Sequence, residues 1–133
     1  MVQEAATEEK ADLTAKGFDI ASPIGKRVFS LLGLGVKAGQ VTFGFEELQK
    51  CIRFRKASLV ILAADLSDNT STKCIRTLQQ SDVAYYVAGT KEILGTLLHR
   101  DSIGIIIVTG RNFADGILKL LHERSGGYVD PRT

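Results

Sequence analysis

Lys37-Ala38-Gly39-Gln40-Val41-Thr42-Phe43-Gly44-Phe45-Glu46-Glu47-Leu48-Gln49-Lys50 is the stretch around which the chain is organised. It reads as a helix end, a very short strand and a helix start in one small space. Gly39 suits the position just past a helix, where the backbone often turns left-handed. Gln40 to Phe43 is short and extended in character. Gly44 opens a new helix, and Glu46 and Glu47 fall in its first turn, where the helix dipole favours negative charge. Lys50 follows both at helical spacing, so the three share one face. Acid at a helix start with base further on is ordinary helix chemistry. The same arrangement has a functional reading. A glycine there lets another backbone approach, and the first-turn amides attract anions. Glu and Lys side chains beside it can read a base edge and a phosphate.

Upstream, Ser22-Pro23 is a helix entry, with Ser as cap and Pro at the first position. From Ile24 to Lys37, Val28, Leu31, Leu32 and Leu34 recur at helical spacing. Residues 1–22 are rich in Ala, Glu and Lys with little apolar periodicity, and read as a flexible lead-in.

Downstream, the helix pattern continues through Leu48, Cys51 and Ile52 to Arg55. Arg53, Arg55 and Lys56 crowd its end, where cations suit the dipole. Ala57 to Ala64 is a continuous apolar run of strand length, as in a strand buried on both faces. Asp65 to Asn69 is a polar turn and cap, and Thr70 to Gln80 reads as a helix with Cys74, Ile75 and Leu78 inward. Ala84 to Val87 is a short strand. Thr90 caps a helix whose apolar stripe is Ile93, Leu94, Leu97 and Leu98. Ile103 to Val108 is a second buried strand. Asn112 caps a last helix, Phe113 to about His122, and a loose tail follows from Ser125. The expected organisation is a lead-in over 1–22, a folded domain over 23–124 and a tail over 125–133. Alternating helices and strands with short connections predict an α/β domain of about four strands, covered by helices on both faces.

The chain has 133 residues, 44% of them apolar, which suits one domain with a real core. No apolar run is long enough to span a membrane, and the polar, acidic first residues lack a secretion signal. Cys51 and Cys74 have neither metal spacing nor a disulfide framework and read as reduced, partly buried thiols. A cytoplasmic location is therefore expected. The net charge of +2 is unevenly spread: Glu4, Glu8, Glu9, Asp12 and Asp19 against Lys10 and Lys16 leave residues 1–22 at −3 and the remainder at +5. A mildly basic body is compatible with nucleic acid.

Gly33-Leu34-Gly35-Val36-Lys37-Ala38-Gly39 has the look of a nucleotide fingerprint but ends a helix instead of following a strand. His99 and His122 have no catalytic partner picked out by pattern, and no Asp, Glu or His cluster has metal spacing. The pattern offers no enzyme, cofactor or metal.

In order and spacing, several pieces resemble the kink-turn RNA-binding ribosomal-protein family (the archaeal L-seven-Ae type), in particular its small bacterial YlxQ-like branch. The pieces are Leu31-Leu32-Gly33-Leu34 with Lys37-Ala38-Gly39; Gly44-Phe45-Glu46-Glu47-Leu48-Gln49-Lys50; Ala63-Ala64-Asp65 followed by Ser67 and Asn69-Thr70; Leu94-Gly95; and Arg100-Asp101 before a strand rich in Val and Ile. The resemblance implies a three-layer α-β-α sandwich with a mixed sheet, binding structured RNA as a rigid module without catalysis. It implies an interface of Lys37, Gly44, Phe45, Glu46, Glu47, Lys50, Asp65, Arg100, Asp101 and Ser102. Gly44 would give backbone access, Glu47 would accept from guanine, Lys50 would meet a phosphate or base acceptor, and Lys37 would add a backbone contact. The Arg100-Asp101-Ser102 loop matches the family's second RNA-contacting loop. Ribosomal or other kink-turn-like RNA is the implied partner, with no DNA and no membrane, and the ribosome is a plausible setting. One departure is Glu46, which stands where the stronger binders have Asn; an ionised Glu only accepts. Another is Gln40, neutral where a Lys would be unsurprising. Two other functions fit the residues: a protein-interaction or scaffold domain, and a substrate-recognition domain of an RNA-modifying enzyme.

Overall fold

The structure is a computed structural model describing residues 16–129, with side chains through His122. The chain runs β1 (Lys16–Gly17), α1 (Pro23–Lys37), β2 (Val41–Phe43), α2 (Phe45–Arg53), β3 (Leu59–Leu62), α3 (Asp68–Gln80), β4 (Ala84–Val87), α4 (Lys91–Leu97), β5 (Ile105–Val108) and α5 (Arg111–Val129). The strand order is β1-β4-β3-β5-β2. β4 pairs in parallel with β1 and β3, while β5 pairs antiparallel with β3 and β2, so the sheet is mixed.

Strand alternation sorts the side chains into two layers. Leu59, Ile61, Ile106 and Val108 face one cluster with Val28, Phe29 and Leu32 of α1, Leu94 of α4 and Ala114, Ile117 and Leu121 of α5. Val60, Leu62, Ile105 and Ile107 face the other, with Leu48 and Cys51 of α2 and Cys74, Ile75 and Leu78 of α3. This is the expected three-layer sandwich. β3 and β5 are buried along their whole length, which is why they read as unbroken apolar runs. Fully burying one such Leu or Ile contributes about 2 kcal/mol.

The helix starts follow local chemistry. Ser22 Oγ accepts from the Gly25 amide at 2.9 Å. Ser67 Oγ accepts from Thr70 and Thr90 Oγ1 from Ile93, each at 3.2 Å. Ser67 thus starts α3 at Asp68, ahead of the expected Thr70.

Several expectations need correction. The sheet has five strands, not about four. The fifth, β1, pairs with Tyr86 and Val87, and the Phe18 that follows it is buried in the first cluster. Residues 16–22 of the expected lead-in are thus part of the fold, and residues 1–15 lie outside the described residues. Leu34, Ile93 and Leu97 continue apolar stripes in the sequence yet are 56%, 43% and 42% exposed, because the sheet covers only part of each helix. α5 begins at Arg111, where the Gly110 carbonyl accepts from Ala114 at 3.0 Å, so Asn112 is inside the first turn. It continues to Val129, beyond the expected end near His122; of the expected tail, residues 130–133 lie outside the described residues.

No helix among the described residues is long and apolar enough to cross a membrane. Cys51 and Cys74 are free and buried. Burial pushes the Cys74 thiol up to about 11; burial, and then the Glu47 carboxylate, raise Cys51.

Candidate nucleic-acid interface

α1 ends in a paired turn. Gly39, at φ 74°, donates to the Val36 carbonyl at 3.1 Å and Gln40 donates to Gly35 at 2.8 Å. This left-handed stop uses up the last helix carbonyls and swings the chain into β2. The Gln40 carbonyl then accepts from the Thr109 amide at 2.8 Å and its hydroxyl at 3.1 Å, fixing the entry to β2 against the end of β5.

β2 is only three residues long, and Phe43 and Phe45 belong to opposite layers. Phe43 packs on the first cluster and Phe45 on the second. Gly44 sits between them at φ 103° and ψ 161°, a conformation that side chains rarely adopt. Its amide donates to Ile105 at 3.1 Å and its carbonyl accepts from Leu48 at 3.0 Å, so the junction is held to β5. Apart from its two chain neighbours, no residue has a heavy atom within 4 Å of where a Cβ would stand. Gly44 also provides no side-chain cap for the first turn of α2. The tip is tied down through its backbone and open at the missing side chain.

Glu46 is exposed beside it. Glu47 and Lys50 form an ion pair at 3.5 Å on the adjoining face, with 39% and 57% of their side chains exposed. Such a pair adds little stability but holds both heads near one place.

The second loop lies against this tip. The Arg100 guanidinium sits 4.5 Å from the centre of the Phe43 ring, directly before Gly44. Two features place the loop. The α4 end is another left-handed stop, with His99 at φ 62° donating to Thr96 at 3.2 Å and Arg100 donating to Gly95 at 2.7 Å. Gly95 then packs directly under the loop. A Cβ there would stand 2.8 Å from the Arg100 carbonyl and the Ser102 amide, and 2.9 Å from the Asp101 carbonyl carbon. Asp101 and Ser102 are exposed.

Asp65 takes a different part. Its Oδ1 accepts from the Lys91 amide at 2.9 Å, and the Lys91 carbonyl accepts from Ile103 at 3.0 Å. This links the end of β3 to the start of α4 and to the 100–102 loop. Phe45, half-buried, serves chiefly as packing under the tip. Lys37 and Arg100 line one open groove of about 760 Å³ between α1 and the end of α4, with Lys26, Leu34, Leu97 and His99. Contacts join these candidates in part: Arg100 stacks on Phe43 next to Gly44, from which α2 carries Glu46, Glu47 and Lys50; Lys37 shares a groove with Arg100; and Asp65 binds behind the loop through Lys91.

Phe43 and Gly95 are the positions that sequence reasoning missed as site-forming. A glycine inside a helix is a signal of close packing, and Gly95 carried it. Nothing local marks Phe43, whose partner lies far along the chain. Among the described residues no three His, Cys, Asp or Glu side chains are grouped as metal ligands.

Comparison of the sequence with known proteins shows the family, and solved structures share the fold. A model of the ribosomal protein L7Ae/L30e/S12e/Gadd45 family matches residues 26–115. The RNA-binding protein YlxQ of Bacillus subtilis is 32% identical over 97 residues, covering 73% of this chain and 97% of that protein. A solved structure of a Bacillus halodurans protein of unknown function superposes with a TM-score of 0.67 at 27% identity, covering 72% of this chain and 97% of that one. The Giardia lamblia 15.5 kD RNA binding protein shares the fold, with a TM-score of 0.62 at 18% identity over 77% of this chain and 88% of its own. The matched span takes in the Gly44 tip and the Arg100 loop alike, and on these grounds the chain belongs to the ribosomal protein L7Ae/L30e/S12e/Gadd45 family.

Proposed function

We propose that this protein is a non-enzymatic RNA-binding module that recognises a structured, bent RNA of kink-turn type through the Gly44 tip and the Arg100 loop. The cytoplasmic ribosome or its assembly is the setting. The carrying observation is the open Gly44 junction with the Arg100 guanidinium stacked on the residue before it. Family membership and a relative named as an RNA-binding protein support the reading.

In this reading Gly44 lets the RNA backbone come close to the first-turn amides of α2. Glu47 and Glu46 accept from the exposed amino groups of guanine or cytosine, and Lys50 meets a phosphate or a base acceptor. Arg100, its ring partner already in place, presents a flat cation to the same RNA; Lys37 meets the sugar-phosphate backbone across the groove. Sheared G·A pairs, whose edges are turned outward, are the feature that two neighbouring carboxylates can read.

Titration with a kink-turn RNA, and with the same RNA carrying Watson–Crick pairs in place of the G·A pairs, tests this. The parent binds the kink-turn RNA more tightly. Lys50→Ala weakens that binding and lowers the salt slope by about one, with folding unchanged. Equal affinity for both RNAs, or equal binding by mutant and parent, contradicts the assignment.

A further inference from the structure

The far end of α2 carries a second constellation, about 13 Å from the tip at 1.5 Å of rise per residue. There the chain reads Arg53-Phe54-Arg55-Lys56. Phe54 is 58% exposed and is the one aromatic among the large apolar side chains left exposed in the described residues. The Arg53 guanidinium lies 5.6 Å from its ring centre. Arg53, Arg55 and Lys56 are exposed, no carboxylate occurs in the chain between Glu47 and Asp65, and Asp82 is the one carboxylate lining the groove beside Arg55. The turn is a left-handed stop, with Arg55 donating to Ile52 at 3.1 Å and Lys56 to Cys51 at 2.7 Å. Arg55 itself is held at φ 57°, where glycine is the usual occupant. The helix dipole accounts for cations at this end. It does not account for a phenyl ring left more than half exposed among them.

The charge of the tip adds to this. Lys37, Lys50 and Arg100 stand against Glu46, Glu47, Asp65 and Asp101, so the candidate interface has no cationic excess with which to draw a polyanion. Long-range attraction for RNA gains from cations elsewhere on the surface, and Arg53, Arg55 and Lys56 are a concentrated source.

We infer that Phe54, with Arg53, Arg55 and Lys56, is a second RNA contact that takes an unpaired segment. One base stacks on the Phe54 ring, and the flanking phosphates meet the guanidinium and ammonium groups. Base-on-aromatic stacking within a basic groove is how single strands are held without regard to sequence. The inference rests on the RNA reading above and adds to it a place and a class of RNA.

The test uses the full chain and two labelled probes, a blunt-ended kink-turn duplex and a uridine homopolymer. The parent binds both. Phe54→Ala weakens homopolymer binding about tenfold and leaves the duplex unchanged. Phe54→Leu behaves like Phe54→Ala, because leucine keeps apolar area but has no π face, and Phe54→Tyr restores binding. Lys50→Ala shows the reverse pattern, losing the duplex and keeping the homopolymer. Circular dichroism of the Phe54 variants matches the parent, since the ring is exposed. Parent-like homopolymer binding by Phe54→Ala overturns the inference, as does a parent that binds the duplex alone; either result leaves the tip reading standing. Loss on both probes merges Phe54 with the tip and removes the separate site. Binding to neither probe defeats both readings. Displacement of the homopolymer by polyglutamate, with Phe54→Leu as tight as parent, assigns the patch to an acidic protein segment and likewise overturns it.

Discussion

Glu46 is the residue at which this chain departs most from a strong kink-turn reader. It is exposed at the tip, beside a Glu47 already paired with Lys50. An ionised carboxylate accepts hydrogen bonds and repels phosphate; an amide of the same position donates as well and carries no charge. Glu46→Asn is therefore expected to tighten binding of a kink-turn RNA by roughly 1 kcal/mol, the lower end of a base-edge contact. Because the position is exposed, thermal stability should move by less than about 0.5 kcal/mol. A titration in which the variant binds no better than the parent contradicts a base-reading role for this side chain. The residue types and their spacing were plain in the sequence. Which of them stack, pair or stand free was not: Arg100 lies on Phe43 across a long sequence separation that no local pattern marks.

At the scale of elements, one device recurs. α1, α2, α3 and α4 all end in the same pair of carbonyl-satisfying turns, with Gly39, Arg55, Asp82 and His99 in the left-handed position. Only the first is a glycine, so only the first was legible as a stop. Two starts were easier, because Ser22 and Thr90 announce themselves by side chain, whereas the helix capped by Ser67 was expected only from Thr70. β3 and β5 were equally plain as apolar runs. β1 was not: it is Lys16–Gly17, and backbone pairing alone makes it a strand. The loop at Arg100 depends on Gly95, whose missing Cβ leaves room for backbone at 2.8 Å. Gly95→Ala is expected to destabilise the fold by about 1–3 kcal/mol, as overpacking against an unyielding backbone does. It should also weaken RNA binding in conditions where the protein remains folded, because the loop is pushed off Phe43. Denaturant unfolding and RNA titration on the same sample check both; a stable variant with parent affinity would show that the loop's position does not matter.

The whole molecule is a mixed sheet between two helical layers, and the charge and chemistry are laid out on that frame. The candidate interface sets three cations against four carboxylates, and the Arg53-to-Lys56 turn concentrates three cations in four residues. The cysteines belong to the α2–α3 layer and not to any surface chemistry. Cys74 is raised by burial from an ordinary value of 9.0 to about 11, so the folded state holds its proton more tightly than the unfolded state. The stability this contributes is present in full below pH 9 and is lost as pH rises towards 11. Denaturant midpoints should therefore fall over that window, and Cys74→Ala should flatten the fall after its own cavity cost is allowed for. A Cys74→Ala variant with the parent's pH profile would contradict the assignment.

The central claim, that the Gly44 tip and the Arg100 loop together form one RNA-facing surface, is met most directly by following the backbone amides of the labelled protein by NMR as a kink-turn RNA is added. The account predicts that the amides of Gly44 to Glu47 and Arg100 to Ser102 shift or broaden first and saturate at one common concentration. Stationary signals from either segment while the RNA is demonstrably bound would contradict it.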